Sequence, residues 1–413
     1  MSAIKLNNIT TVSLYALILV SFSLPYARIS IGIMPLYFTT ITSIILLSYS
    51  LFVFQSKKMI FFNCGIFGLL VYLFVVSFFH TLYLETSYIF YNNLIRILSL
   101  SVIFSLGVLI YNNYISTFYL LKIIQIGLKV HIILILIHFL FSLMGNEYLD
   151  FYYRLIYKII SNSEKFYLDI EKFQKDWYMM RYYGGYHNPN PAGVVLVLGY
   201  IIMYLSKAKL NILWFSLMFF CIILTASKQS FALLLLFLIV INLKKLPIYI
   251  ILGFIFFELL LVFNFYDYLE RIIEFDNYST SADERSWGYL NFENFISNNF
   301  LGALLGTGVN SLGLREISNI DIESSKVGFV SNSVLLVIST IGIIGIVLLF
   351  RVFYLIRRAS KNKKELLIFF AMVFFIGLFD NHIATMESLQ IIIIIGILII
   401  ANITKPNERK IIH

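Results

Sequence analysis

Long apolar runs broken by short polar clusters dominate the chain. A helix needs about 20 apolar residues to cross the ~30 Å hydrocarbon core of a bilayer. Cutting the sequence at its polar interruptions gives about twelve runs of that kind. They are residues 9 to 26, 31 to 54, 59 to 84, 95 to 112, 123 to 144, 192 to 206, 210 to 226, 230 to 243, 246 to 266, 328 to 350, 365 to 380 and 389 to 403. The pattern predicts an all-α integral membrane protein with about 12 transmembrane helices and two large extracytoplasmic loops. The expected organisation is helices 1 to 5 in residues 1 to 145, a first large loop at 146 to 190 and helices 6 to 9 in 191 to 266. A second large loop at 267 to 327 follows, then helices 10 to 12 and a tail in 328 to 413.

Composition points the same way. Hydrophobic residues make up 60% of the 413, charged residues 13%, and the mean hydropathy is +0.87. A soluble domain carries about 25% charged residues, so this chain lacks the polar surface to cover itself in water. The net charge of +9 is then a topological signal, since Lys and Arg collect in cytoplasmic loops. With the N-terminus inside, the inner loops hold Lys57 and Lys58, Lys122, Lys207 and Lys209, Lys244 and Lys245, and the cluster from Arg351 to Lys364. The C-terminal tail joins them with Lys405, Arg409 and Lys410. Both termini are expected in the cytoplasm, and nucleic-acid binding is excluded. The first run lacks a small-x-small cleavage site and reads as an uncleaved anchor. Cys64 and Cys221 sit in apolar runs without Cys or His at metal spacing, so neither a disulfide framework nor a zinc site is expected.

The two long connections are rich in Tyr, Trp and paired charges, which suits folded segments better than linkers. Apolar positions at Ile159, Ile160, Phe166, Ile170 and Phe173 predict an amphipathic helix over residues 158 to 178. The first loop ends Arg181-Tyr182-Tyr183-Gly184-Gly185-Tyr186-His187-Asn188-Pro189-Asn190-Pro191-Ala192-Gly193, the densest polar and turn-forming stretch in the chain. A turn that merely caps a span needs no Arg and no such run of aromatics. Between the seventh and eighth runs, Thr225-Ala226-Ser227-Lys228-Gln229-Ser230 places a cation on the outer side, either to meet a ligand or to snorkel toward headgroups. The second loop contains Asp283-Glu284-Arg285-Ser286-Trp287, then Gly306-Thr307-Gly308. Arg181, Lys228 and Arg285 lie in different loops yet emerge on one face, as a site for a membrane-anchored polyanion requires.

Taken in order, Arg181-x-x-Gly184, Asn188-Pro189-Asn190, Ser227-Lys228, Arg285-x-Trp287, Gly306-x-Gly308 and Gly342-Ile343-Ile344-Gly345 resemble the bacterial O-antigen polymerase and O-antigen ligase superfamily. The resemblance covers residues 180 to 350 and rests on the order and common sidedness of the motifs. It implies a multi-pass protein of the bacterial inner membrane, a glycosyltransferase acting without metal or cofactor at the periplasmic face. Its substrate would be an undecaprenyl-diphosphate-linked oligosaccharide, and its partners membrane lipid and a chain-length regulator protein. Arg181, Lys228 and Arg285 would bind the diphosphate. His187, Asp283 and Glu284 are the base candidates. Tyr182, Tyr183, Tyr186 and Trp287 could stack on sugar rings, with Trp177 and Tyr178 in the same class, or belong to an interfacial aromatic belt. Two departures matter. Members commonly carry Ser-Arg where this chain has Ser227-Lys228, and the ligase branch carries a His where this chain has Asn332, which cannot accept a proton. The polymerase branch is therefore the expected one, with ligase, lipid-linked oligosaccharide flippase and assembly factor as alternatives. The mixed pair Asp169 and Glu171 is a poor substitute for a metal-holding Asp-x-Asp. His131 and His138, seven apart and read as lying toward the cytoplasmic half, are expected in helix-packing hydrogen bonds, and His382 in a structural turn.

Overall fold

The computed structural model describes residues 8 to 25, 27 to 31, 34 to 53, 60 to 84, 97, 98, 100 to 111, 114 to 156, 181 to 186, 188 to 208, 211 to 242, 293, 297, 300 to 306, 332 to 379 and 387 to 402. In chain order the elements are α1 (Asn8–Ser23), β1 (Arg28–Ile31), β2 (Met34–Tyr37), α2 (Phe38–Val53), α3 (Ile60–Leu84), α4 (Val102–Tyr111), α5 (Thr117–Met144) and α6 (Asn146–Tyr153). There follow α7 (Pro189–Leu205), α8 (Ile212–Thr225), α9 (Lys228–Ile241), α10 (Phe300–Leu305), α11 (Ser333–Ala359), α12 (Lys363–Phe379) and α13 (Glu387–Ala401). Helix dominates the described residues, as the apolar runs require. Both α5, with 28 residues, and α11, with 27, are long and apolar enough to cross a membrane by length and composition, and several shorter apolar helices accompany them. On α11, Ile343, Val347, Phe350 and Tyr354 repeat at helical spacing with their side chains exposed, and Phe67, Val71, Phe74 and Phe78 do so on α3. Stripes of that kind are costly in water and compatible with lipid, so the described architecture is compatible with a membrane protein.

Three boundaries correct the sequence reading. The run from residue 31 opens as a hairpin, not a helix: β1 and β2 pair antiparallel with Ile29 opposite Leu36 and Ile31 opposite Met34, and Phe38 N–H closes on Ala27 O at 2.9 Å. Pro35 cannot donate within a helix, which explains why the helix waits until Phe38. The Arg351 to Arg358 part of the basic cluster lies on the last turns of α11 instead of in a loop, and the connection to α12 is Ser360 to Asn362. Cations are favoured there because the helix C-terminus carries partial negative charge. Lys122 likewise lies in the second turn of α5, over the Phe118 ring at 4.8 Å. The run 246 to 266, the amphipathic helix over 158 to 178 and most of the second loop lie outside the described residues.

The chain packs as two compact units. Unit 1 comprises Met1–Ile18, Thr39–Ile123 and Tyr278–His413, and unit 2 comprises Leu19–Phe38 and Ile124–Asn277. In unit 1, α11 packs against α3, α10 and α12, while α13 packs against α4 and α12. Helix α11 is broken at Gly342, whose φ of 61° and ψ of −176° are open in practice to glycine alone. The break presses on Leu304 to Gly306, and a Cβ on Gly342 would meet the Gly306 nitrogen and Leu304 O at 2.6 Å. The Tyr72 hydroxyl fills the gap: its single proton is shared between Leu305 O at 2.6 Å and Ile341 O at 3.1 Å, and its oxygen accepts from the Gly345 amide. In an unbroken helix the Gly345 amide would bond Ile341 O directly. Tyr72 is inserted into that rung.

In unit 2, α7 packs between α8 and α9 and is buried along nearly its whole length. Small residues make this possible. A Cβ on Gly193 would strike Ser230 and Thr225, and one on Gly199 would meet Leu128 at 2.5 Å.

Candidate functional site

The two polar motifs of unit 2 meet. The start of α7 is fixed locally: Asn188 is its N-cap, accepting from Asn190 N–H at 2.9 Å, and Pro189 and Pro191 lie in its first turn, where a missing N–H costs nothing. The α8 to α9 connection is Ala226 and Ser227 alone, so Lys228 is the first residue of a helix, not part of a loop. Ala226 takes the left-handed conformation, φ 45° and ψ 38°, a strained state for a residue with a Cβ. Ser227 then caps α9, accepting from Ser230 N–H at 3.4 Å and from Ser230 Oγ at 2.9 Å.

Arg181 ties these pieces together. Its Nε donates to Thr225 O at 3.0 Å and an Nη donates to Asn190 Oδ1 at 2.8 Å. Tyr182 N–H donates to Leu224 O at 3.0 Å, running the Arg181 segment along the end of α8. A permanently charged guanidinium thus sits at the junction of three helix ends, three residues along the chain from the last residue of α8 to Lys228. Lys228 stands at the end of α9 that carries partial positive charge, where an anion is favoured and a cation is not. A guanidinium held beside a helix N-terminus that begins with Lys228 gives a region of positive potential of the kind that suits phosphate oxygens.

The aromatic candidates serve differently from the sequence reading. Tyr182, Tyr183 and Tyr186 are 6%, 1% and 0% exposed, so their faces are taken by packing and leave no platform for a sugar. Tyr182 meets Phe139 at 5.2 Å and its hydroxyl pairs with Ser142 Oγ at 2.9 Å. Tyr186 stands edge-on to His131 at 4.8 Å and donates to Phe22 O at 3.2 Å. His131 Nε2 bonds Ala192 O at 3.1 Å, the packing bond expected of it. His138 bonds Tyr153 and also Tyr183 N–H, so it touches residues near both ends of the 146 to 190 segment. Tyr152, stacked on His138 and buried, has its hydroxyl held well above the usual phenol range by burial and then by Tyr183, so it stays protonated.

In unit 1, Asn332 caps α11: its Oδ1 accepts from Val334 N–H at 2.9 Å and Leu335 N–H at 3.1 Å, and its Nδ2 donates to Leu378 O at 2.9 Å. Every polar atom of that amide is occupied by structure. Gly306, expected as part of a Gly-x-Gly turn, packs on the α11 break with φ 83°.

No protein family, characterised protein or solved structure matches the chain. The site therefore stands on its own geometry.

Arg285, Trp287, His187, Asp283, Glu284, Gly308 and His382 lie outside the described residues, as do Asp169, Glu171, Trp177 and Tyr178. Of the expected anion-binding residues, Arg181 and Lys228 are brought to one junction. Tyr72 and His138, which each hold a non-helical backbone segment among the described residues, carried no functional signal in the sequence.

Proposed function

We propose that the chain is a polysaccharide polymerase of the bacterial inner membrane, a glycosyltransferase that joins undecaprenyl-diphosphate-linked oligosaccharide units at the periplasmic face, with about twelve spans and both termini cytoplasmic. The observation that carries the reading is the meeting of two motifs 44 residues apart, with the Arg181 guanidinium bonded to Thr225 O beside Ser227 and Lys228. Sugar transfer from a diphosphate leaving group needs its developing negative charge neutralised. Arg never loses its proton, and Lys228 adds charge on the same junction. Arg285 would complete the set, and His187, Asp283 or Glu284 would take the proton from the attacking hydroxyl. Asn332, with its amide fully used as a helix cap, is no base, which favours polymerase over ligase.

One observation favours a second reading. Broken helices near the bilayer midplane mark transporter sites, and α11 is broken at Gly342. A lipid-linked oligosaccharide flippase would use such a break, although transporters pair it with a matching break in a second repeat.

Deletion of the protein separates these readings on one gel. Loss of the long-chain ladder with single units still attached to the final acceptor fits the polymerase. Polymer piling up on the lipid carrier would instead mark a ligase, and repeats held on the cytoplasmic leaflet a flippase. Labelling by an impermeant thiol reagent checks the orientation: Ser281→Cys should react in intact cells and Lys361→Cys should not.

A further inference from the structure

The segment bearing Arg181 has no regular secondary structure, so its buried amides need partners other than a helix or strand ladder: Tyr182 N–H donates to Leu224 O and Tyr186 N–H to Tyr183 O, both at 3.0 Å. Tyr183 N–H donates to His138 Nδ1 at 3.3 Å. A backbone amide is always a donor, so Nδ1 must be the unprotonated nitrogen and the ring proton must be on Nε2. Nε2–H then donates to the Tyr153 hydroxyl at 2.7 Å. The ring is fully enclosed: Tyr152 stacks on it at 4.7 Å, and Tyr153, Tyr182 and Tyr183 stand edge-on at 5.4, 5.2 and 4.8 Å. Two of these tyrosines belong to α6 and two follow Arg181. One histidine in one tautomer therefore joins both ends of residues 146 to 190 through chemically distinct nitrogens.

We propose that His138 is a positioning residue for Arg181: its Nδ1 lone pair holds the Tyr183 amide, and through it the two residues before, so that the guanidinium meets Thr225 O and Asn190. This rests on the reading of Arg181 as an anion-binding residue, while the geometric claim is separable from it. The two nitrogens do different work. The Nδ1 bond sets the Arg181 segment, and the Nε2 bond secures α6.

Two substitutions divide the roles. Asn places an amide oxygen near the Nδ1 position and keeps an acceptor for Tyr183 N–H. Gln is closer to His in volume and reaches the Nε2 position, but leaves that amide unpaired. A ring that merely fills space predicts that His138→Gln is the milder change. Positioning through Nδ1 predicts the reverse.

The test uses full-length protein. Hydrogen exchange of the peptide covering residues 181 to 186 is measured in detergent, and the glycan ladder is scored in cells carrying each variant. His138→Asn should leave exchange within about threefold of wild type and keep most long-chain product. His138→Gln should raise exchange about tenfold, the worth of one amide hydrogen bond, and lose the ladder. Tyr153→Phe keeps the ring and removes the Nε2 partner, so both readouts should stay near wild type. Equal damage from Asn and Gln, a milder Gln, or a Tyr153→Phe effect as large as that of His138→Gln would overturn the proposal. Should His138→Gln fail to accumulate, raised exchange in His138→Asn would overturn it and protection would support it. An intact ladder in an Arg181 variant would defeat the functional reading, and the exchange order would still decide the clasp.

Discussion

Among the described residues, carbonyls exposed where regular helix breaks or ends are satisfied by opposite means in the two units. In unit 1, the break at Gly342 is filled by the neutral Tyr72 hydroxyl, and Leu378 O at the end of α12 is met by the neutral Asn332 amide. In unit 2, Thr225 O at the end of α8 is met by a guanidinium. A neutral donor suffices for a carbonyl, as Tyr72 and Asn332 demonstrate. A partly buried cation in an apolar chain costs more to desolvate than a neutral donor, a cost that its stronger, charge-assisted bonds must offset. Under the proposed function, the charge of Arg181 would serve a bound anion as well as the peptide oxygen.

That contrast can be broken from the structural side first. Gly342→Val forces a β-branched residue into φ 61°, ψ −176° and drives its Cβ into the Gly306 and Leu304 backbone. The loss should be more than about 4 kcal/mol, with the protein failing to accumulate, as membrane fractionation with immunodetection would read. Normal accumulation would mean that the break is not a fixed feature.

Tyr72→Phe is gentler. It keeps the ring but leaves Leu305 O, Ile341 O and the Gly345 amide short of a partner, and should cost about 1 to 3 kcal/mol. A lower thermal midpoint in detergent checks it. An unchanged midpoint would show that the break is satisfied some other way, and the comparison with Arg181 would weaken.

Ser227→Ala should have the smallest effect. It removes the α9 cap and the Ser230 Oγ partner at the site junction, for about 1 kcal/mol in the same thermal assay. A loss several times larger would mean that the junction, not the helix end, depends on Ser227.

Much of the helical frame was legible in the sequence because its ends carry local chemistry. Asn188 with Pro189, Asn211, and Ser227 are caps whose side chains bond the next turn, and α7, α8 and α9 begin within a few residues of where the runs begin. The hairpin at Arg28–Ile31 and Met34–Tyr37 was hidden because a strand of Ile, Met and Leu is as apolar as the span it precedes. The overrun of α11 past Arg351 was hidden for a different reason: long cationic stems can follow a helix to its last turn and still place their charges outside hydrocarbon.

The site was legible in part. Arg181 and the Ser227-Lys228 pair stood out because charges are rare in this chain, and the structure brings their segments together. The clasp at His138 was not legible, since its partners lie 15 and 45 residues away and its neutral ring looks like any buried histidine. The burial of Tyr182, Tyr183 and Tyr186 was missed because an aromatic at a loop end reads alike whether it faces a sugar or the core.

The central claim is that Arg181 is present for its charge. Arg181→Gln tests it most directly, because Gln retains an amide donor for one of Thr225 O and Asn190 Oδ1 while removing the positive charge. The account predicts that Arg181→Gln protein accumulates in the membrane at the wild-type level while the long-chain glycan ladder disappears and single repeat units remain attached. A charge-assisted contact to phosphate is worth about 1.5 to 3 kcal/mol, so the loss should be at least tenfold. A wild-type ladder from Arg181→Gln would show that the guanidinium caps a helix and does nothing more, and would contradict the account.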